Sequence, residues 1–251
     1  MNWISVLAGR RFKMVWKRSA DVPFPKVWHR FQAKAPDSDL LVWYSVQDLP
    51  VERFQDAVQH MKRHFARDEQ LNKAKGLEND SVGMEEVVQL WKVMLPERLS
   101  LVCFREGSDE IVGVNVLAVA TKSDKGALKF TSATFQTIFD TIGYVSQQAN
   151  VYERYRVDCY LNAMGLSVDP SYRGRGIATE LLKARVPLCK GVGLELTSTC
   201  FTGPGSQAAA KKAGFREDLA ITYAELAQVD RRFVFPGIED SLCKYMSLKI
   251  E

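Results

Sequence analysis

The stretch Leu166-Ser167-Val168-Asp169-Pro170-Ser171-Tyr172-Arg173-Gly174-Arg175-Gly176-Ile177-Ala178 decides how the rest of the chain is read. The apolar run from Tyr160 to Val168 has strand character and is stopped by Asp169-Pro170. After a glycine-rich turn, Ile177-Ala178-Thr179-Glu180-Leu181-Leu182 opens with helical spacing. The expected unit is strand, loop, helix. Gly174 and Gly176 carry no side chain to block an approaching ligand, and a loop entering a helix aims N–H groups outward at the positive end of the helix dipole. Such a turn suits phosphate, and Arg173 and Arg175 add guanidinium groups able to grip a phosphate oxygen pair in a fork. Residue types alone leave an alternative, a basic surface turn whose glycines serve backbone angles only.

The order of residues is more specific than the glycines. Arg173-x-x-Gly176-x-Ala178, preceded by an apolar strand ending Val-Asp-Pro and followed by Leu181-Leu182, resembles the acetyl-CoA motif of the GNAT acetyltransferases. It lacks the G-x-G-x-x-G of dinucleotide sites and the Gly-Lys-Ser/Thr of nucleoside triphosphate loops. The resemblance implies that the loop takes the pyrophosphate of coenzyme A. On that basis Leu166, Ser167, Val168, Arg173, Gly174, Arg175, Gly176, Ile177, Ala178 and Thr179 are the expected cofactor-binding residues.

Composition narrows the surroundings. At 251 residues, 46% hydrophobic and 25% charged, the chain can close one sizeable core. A net charge of +4 from 34 basic and 30 acidic residues is too balanced to imply nucleic acid as a partner. The apolar runs fall far below the ~20 residues of a membrane span. The five cysteines, Cys103, Cys159, Cys189, Cys200 and Cys243, show no C-x-x-C spacing and no signal-peptide pattern accompanies them. Reduced thiols in a cytoplasmic protein are expected, and a monomer.

Residues 1–39 hold Trp3, Trp16 and Trp28 among Arg10, Arg11, Lys13, Lys17, Arg18, Lys26 and Arg30, and are read as an ordered extension packed on a domain of residues 40–251. The first strand is expected at Leu40 to Val46, followed by a helix begun at Pro50 with Phe54, Val58, Met61 and Phe65 inward. Asp80-Ser81 caps a second helix with Met84, Val87, Val88, Trp91 and Leu95 buried. Leu99 to Arg105 and Glu110 to Lys122 read as a hairpin, and Ser132 to Tyr155 as mostly helical. Beyond the cofactor unit come a strand Leu194 to Thr199, a short helix Gln207 to Ala213 capped by Ser206, and last strands at Ile221 to Leu226 and Ser241 to Ile250. This order is that of the GNAT fold, whose α/β architecture is a central mixed sheet flanked by helices and splayed where two parallel strands part.

A finer resemblance lies in Phe65-Ala66-Arg67-Asp68-Glu69-Gln70-Leu71-Asn72, which is similar to the Phe-x-x-Asp-Glu-Pro-Leu-Asn segment of the insect arylalkylamine N-acetyltransferases, with Gln70 in place of proline. Val157-Asp158-Cys159-Tyr160 and the segment from Ser206 to Phe215 also look like that branch. The resemblance spans roughly residues 40–250. It implies direct acetyl transfer from acetyl-CoA, with no metal, to a small primary amine of the dopamine, tyramine, octopamine or serotonin type. Polyamine, agmatine or amino-acid acceptors, and a coenzyme A-binding protein without transfer, stand as alternatives.

Transfer needs a base, because the amine is protonated up to a pKa near that of lysine, ~10. The resemblance offers Glu69; without it, a solvated acid at a helix end is the simpler reading. The thioester oxygen needs a fixed donor, which the family takes from backbone N–H, here near Val168. Ser206 and Thr202 occupy the segment implied to protonate the departing thiolate, although a helix-capping serine is the ordinary alternative. Lys211 and Lys212 could assist coenzyme A phosphates. His60 and His64 have zinc spacing, but Met61 stands where a zinc hydrolase would need glutamate. Tyr44, Trp43, Phe65 and Tyr223 are candidates for an aromatic pocket.

Overall fold

The structure, a computed structural model, describes residues 16–123 and 128–251. Eight strands make one mixed sheet. In spatial order they are β1 (Val27–Lys34), β2 (Leu41–Asp48), β3 (Leu101–Arg105), β4 (Ile111–Thr121), β5 (Cys159–Val168), β6 (Leu196–Phe201), β8 (Leu242–Lys249) and β7 (Arg216–Thr222). All neighbours are antiparallel except β5 and β6.

Apart from the single turn Ala66–Asp68, the α-helices among the described residues are, in chain order, α1 (Phe54–His60), α2 (Gln70–Ala74), α3 (Ser81–Met94), α4 (Ala133–Ala149), α5 (Val151–Tyr155), α6 (Ile177–Lys183), α7 (Arg185–Val192), α8 (Pro204–Lys212) and α9 (Tyr223–Val229). On one face of the sheet α1, α3 and α4 bury Met61, Trp91, Phe135 and Ile138 in a single cluster. On the other face α6 and α7 cover Tyr44, Leu117, Leu161 and Leu188, and α8 closes a smaller cluster around Phe215. The two longest helices begin locked together. Asp80 accepts from Gly83 N (2.9 Å) as the cap of α3, Ser132 accepts from Phe135 N (2.9 Å) as the cap of α4, and the Ser132 hydroxyl donates to Asp80 Oδ2 (2.5 Å).

Four segments differ from their sequence reading. Val27–Lys34, inside the stretch read as an extension, is an edge strand of the sheet. A bulge between Val27 and His29 puts Trp28, Phe31 and Ala33 inward and so breaks the strict alternation that marks a strand. Trp28 is buried and Trp16 packs against the same core; Trp3, Arg10, Arg11 and Lys13 lie outside the described residues. The strand expected over residues 221–226 ends at Thr222, where a capping box with Glu225 starts α9. Ser206 does not cap α8: Gly203 holds that position with Pro204 first in the helix, and Ser206 sits in the first turn with its hydroxyl donating to Gly203 O (2.9 Å). The helix after the glycine loop is broken at Ala184, because Pro187 has no N–H to give the Lys183 carbonyl.

Candidate active site

At the end of β5 the Asp169 carboxylate accepts from Ser171 N (2.9 Å), starting one turn of 3-10 helix over Pro170–Tyr172. Gly174 (φ 77°) and Gly176 (φ 83°) then take left-handed backbone that swings the chain into α6, and the space beside each is open. The first amide to bond back into the helix is Glu180 N, on Gly176 O (3.1 Å). The amides of Ile177, Ala178 and Thr179 therefore head the helix without an intrahelical acceptor.

The two arginines of the loop do different work. Arg175 does not present a free fork to a phosphate as its sequence position suggests. Its Nη1 donates to Ser171 O (2.9 Å) and Arg173 O (3.0 Å), its Nη2 to Pro36 O (2.7 Å) and its Nε to Ala35 O (3.2 Å). It stitches the loop to the turn between β1 and β2. Arg173 gives Nε to Val168 O (3.0 Å) and Nη2 to Asp68 Oδ2 (2.6 Å), in an ion pair whose side chains are 45% and 44% exposed. So open a pair holds by no more than about 1 kcal/mol, and a phosphate can displace the carboxylate.

The sheet opens beside this loop. β5 and β6 share one register pair, Leu161 with Thr197, and diverge beyond it. Asp169 N bonds Val112 O (2.9 Å) on the β4 side, so by alternation the amides of Val168 and Leu166 turn the other way, toward the gap that β6 has left. On the β4 side the strand bulges, because Asn115 pairs with Leu166 but Leu117 with Ala163. The bulge carbonyls are met by side chains, Met164 O by Trp91 Nε1 (2.8 Å) and Gly165 O by Asn115 Nδ2 (2.8 Å). Gly165 (φ 132°) allows the helix above to come close: a Cβ there would stand 2.4 Å from Met61 Cε. Met61–Phe65 is a π-helical turn that continues α1, and it carries the chain over the gap to Glu69.

Glu69 caps α2. Its Oε1 accepts from Leu71 N (3.1 Å) and its Oε2 from Asn72 N (2.9 Å), while Thr202 Oγ1 donates to Oε1 (2.5 Å). Burial pushes its carboxyl above the usual range, against the pull of those three hydrogen bonds. Behind it, buried Tyr223 donates to Thr202 O (2.8 Å) and fixes the β6–α8 connection. Glu69 and Thr202 thus meet across the opening, while the Ser206 hydroxyl is engaged on its own turn.

The family model described as the acetyltransferase (GNAT) family matches residues 67–215, more than half of the chain. The chain belongs to the GNAT acetyltransferases. Among solved structures it is similar to one named insect arylalkylamine N-acetyltransferase 7 of the yellow fever mosquito Aedes aegypti, a name given there as provisional. That chain is 67% identical, with a TM-score of 0.93 over 94% of this chain and 100% of its own. Arylalkylamine N-acetyltransferase 2 of Aedes aegypti shares the fold at 23% identity (TM-score 0.72, 83% of this chain and 99% of that one). So does a polyamine N-acetyltransferase of Drosophila melanogaster at 18% (TM-score 0.63, 82% and 100%). No curated protein sequence matches.

As a GNAT acetyltransferase the chain uses acetyl-CoA. The residues present fit that cosubstrate: open loop amides for its diphosphate, and a parted pair of strands for its arm. Other sequence candidates of the acetyltransferase lie elsewhere. Tyr44 stacks on Phe31 in the opposite core and Trp43 is exposed, so neither lines the opening around Glu69. Phe65 meets Trp91 edge-on (6.0 Å) beneath Met61, and Tyr223 acts through Thr202. Lys211 and Lys212 are exposed in the last turn of α8. His60 packs edge-on against His64 (4.9 Å), and burial first, then the His64 ring, pushes it down to about 4. His64 faces Asp169 (3.3 Å), and no cluster of three or more metal-ligating side chains occurs among the described residues. Two participants escaped the sequence reading, Asp68 as partner of Arg173 and Tyr223 as the support of Thr202. Asp68 could have been found from its place beside Glu69, whereas nothing in the sequence joins Tyr223 to Thr202.

Proposed function

We propose that this acetyltransferase acetylates small primary amines, arylalkylamines first among them, by direct attack in a ternary complex with Glu69 as the base. The observation that carries the reading is the Glu69 carboxyl, desolvated and yet held by two amides and a hydroxyl at the mouth of the strand gap. A raised carboxyl pKa makes a stronger base, which an ammonium acceptor requires. Acetyl-CoA supplies an acyl group activated as a thioester. The Leu166 and Val168 amides are the donors suited to the oxygen that gains charge, and the Ile177–Thr179 amides with Arg173 suit the diphosphate. Thr202 holds Glu69 in place, and Ser206, in the first turn of α8, can protonate the departing sulfur only by giving up its bond to Gly203 O.

Thr202→Val is expected to lower kcat more than Ser206→Ala, and to move the acid limb of the pH–rate profile upward, because the lost hydrogen bond favoured the ionised carboxyl. A larger loss in Ser206→Ala would transfer the weight to the sulfur-protonating role.

Acceptor class is tested with dopamine, tyramine, octopamine, serotonin, spermidine and agmatine, following thiol release. Arylalkylamines should give the highest kcat/KM, and preference for spermidine or agmatine would replace them. Gln70, in place of the branch's proline, has its carboxamide nitrogen buried and unpaired beside Gly203, a donor that the hydroxyl oxygen of a hydroxylated arylalkylamine can meet and the all-donor cations spermidine and agmatine cannot. We also place the protein in the cytoplasm as a monomer. Five free thiols favour a reducing compartment, and every residue of the proposed site comes from one chain. No helix among the described residues is long and apolar enough to cross a membrane.

A further inference from the structure

Among the described residues Arg185 is the one fully buried arginine, at 0% exposure, and no carboxylate lies within ion-pair distance of it. It opens α7 just past the break at Ala184. Its Nε donates to Asn115 Oδ1 on β4 (2.9 Å), and its Nη1 to Thr199 Oγ1 (3.1 Å) and Thr197 Oγ1 (3.3 Å) on β6. Asn115 in turn holds Gly165 O on β5, and Thr197 holds Leu161 O (3.0 Å). The guanidinium therefore ties β4 to β6 underneath β5, at the level where β5 and β6 lose their backbone pairing. Its third nitrogen, Nη2, is buried and has no partner. With Nε spent on β4 and Nη1 on Thr197 and Thr199 of β6, at and just beyond the last β5–β6 pair, the unpaired Nη2 is buried at the base of the gap.

An unpaired donor on a buried cation is costly, more so than on a neutral group. Burial pushes the group down to about 9, so it stays charged at neutral pH. The neighbouring contact with the Phe215 ring (5.7 Å) does not satisfy an N–H. The orphan is explained if the missing acceptor arrives with the cosubstrate.

We propose that Arg185 is a cofactor-positioning residue: it braces the parted strands and gives Nη2 to an amide carbonyl of the pantetheine arm of acetyl-CoA. This rests on the cofactor placement proposed above, with the diphosphate at the Gly174–Gly176 loop and the acyl group under Glu69. An arm joining those two points runs along the β5–β6 gap, whose base holds this unused donor.

The test is a double-mutant cycle on binding, read by calorimetry. Wild type and Arg185→Gln are titrated with coenzyme A, with adenosine 3′,5′-bisphosphate, which lacks the arm, and with two analogues in which one or the other arm amide is replaced by a neutral trans-alkene, which removes the carbonyl without adding a charge. Replacing the recognised carbonyl should weaken wild-type binding about tenfold to a hundredfold, and should weaken the variant little further. Adenosine 3′,5′-bisphosphate should bind both proteins alike. If both analogues bind wild type as coenzyme A does, or if the losses simply add, the proposal is overturned. The wild-type arm decides this even where Arg185→Gln does not fold. Absence of coenzyme A binding by wild type would instead overturn the cofactor placement itself.

Discussion

Glu69→Gln should lower kcat by about two to four orders of magnitude while leaving coenzyme A affinity in place and the thermal melt lowered by one lost cap bond. The amide is nearly isosteric and its oxygen still accepts from Leu71 N and from Thr202, but its NH2 meets Asn72 N, so the cap of α2 keeps one of its two bonds. What disappears is the group able to take a proton. The pH profile gives the second half of the test. Burial raises the Glu69 pKa, so the active, ionised form is lost as pH falls through that raised value. Wild-type kcat/KM should therefore climb with pH along a limb beginning above the ordinary carboxylate range, and the variant should lack that limb. Unchanged turnover in Glu69→Gln would reduce the residue to a helix cap.

The second large effect lies far from the chemistry. Asp48, at the end of β2, is completely buried and accepts from Arg18 Nη1 (2.9 Å) and Nη2 (2.9 Å), from Trp28 Nε1 (2.7 Å) and from Lys26 N (2.9 Å). The Arg18 side chain is only 5% exposed. Asp48→Ala removes the counter-charge of that guanidinium, which keeps only the carbonyls of Arg98 (2.6 Å) and Pro23 (2.8 Å), and leaves the indole N–H and Lys26 N without their acceptor, a loss of about 3–5 kcal/mol. For a chain of this size that is roughly 6–20 °C in melting temperature. Adding Arg18→Met should recover part of the loss, because the uncompensated charge goes with it. A fall below about 1 kcal/mol would mean that water enters the site and replaces the carboxylate.

How much was legible in advance follows from where each signal resides. The cofactor unit is local: a strand, two glycines at fixed offsets and a helix start are all written within thirteen residues, and the fold places them as read. Caps are local too. Asp80 and Ser132 begin helices as their residue types imply, and the Thr222-x-x-Glu225 box was present in the sequence, although apolar Ile221 and Leu226 argued for a strand. β1 was hidden by its bulge, since a one-residue shift of phase erases the period of two. The pairing of Glu69 with Thr202 spans 133 positions, and only the family resemblance put both in view. The diversion of Arg175 onto Pro36 and Ala35 was not legible at all, because an arginine beside glycines looks the same whether it serves a ligand or a carbonyl.

That diversion ties the fate of two distant pieces of chain. The seat proposed for the diphosphate leans on the carbonyls of Ala35 and Pro36, which exist in that position only because the first hairpin is folded against the sheet. A protease cut or a shortened expression version that removes the residues before Leu41 would keep every group proposed for transfer, yet leave the Arg175 guanidinium without its anchors. Such a fragment should lose stability, because Asp48 is left without Arg18, Lys26 and Trp28, and whatever part of it still folds should hold nucleotide more weakly than the full chain, so the leading hairpin would serve ligand binding through Arg175.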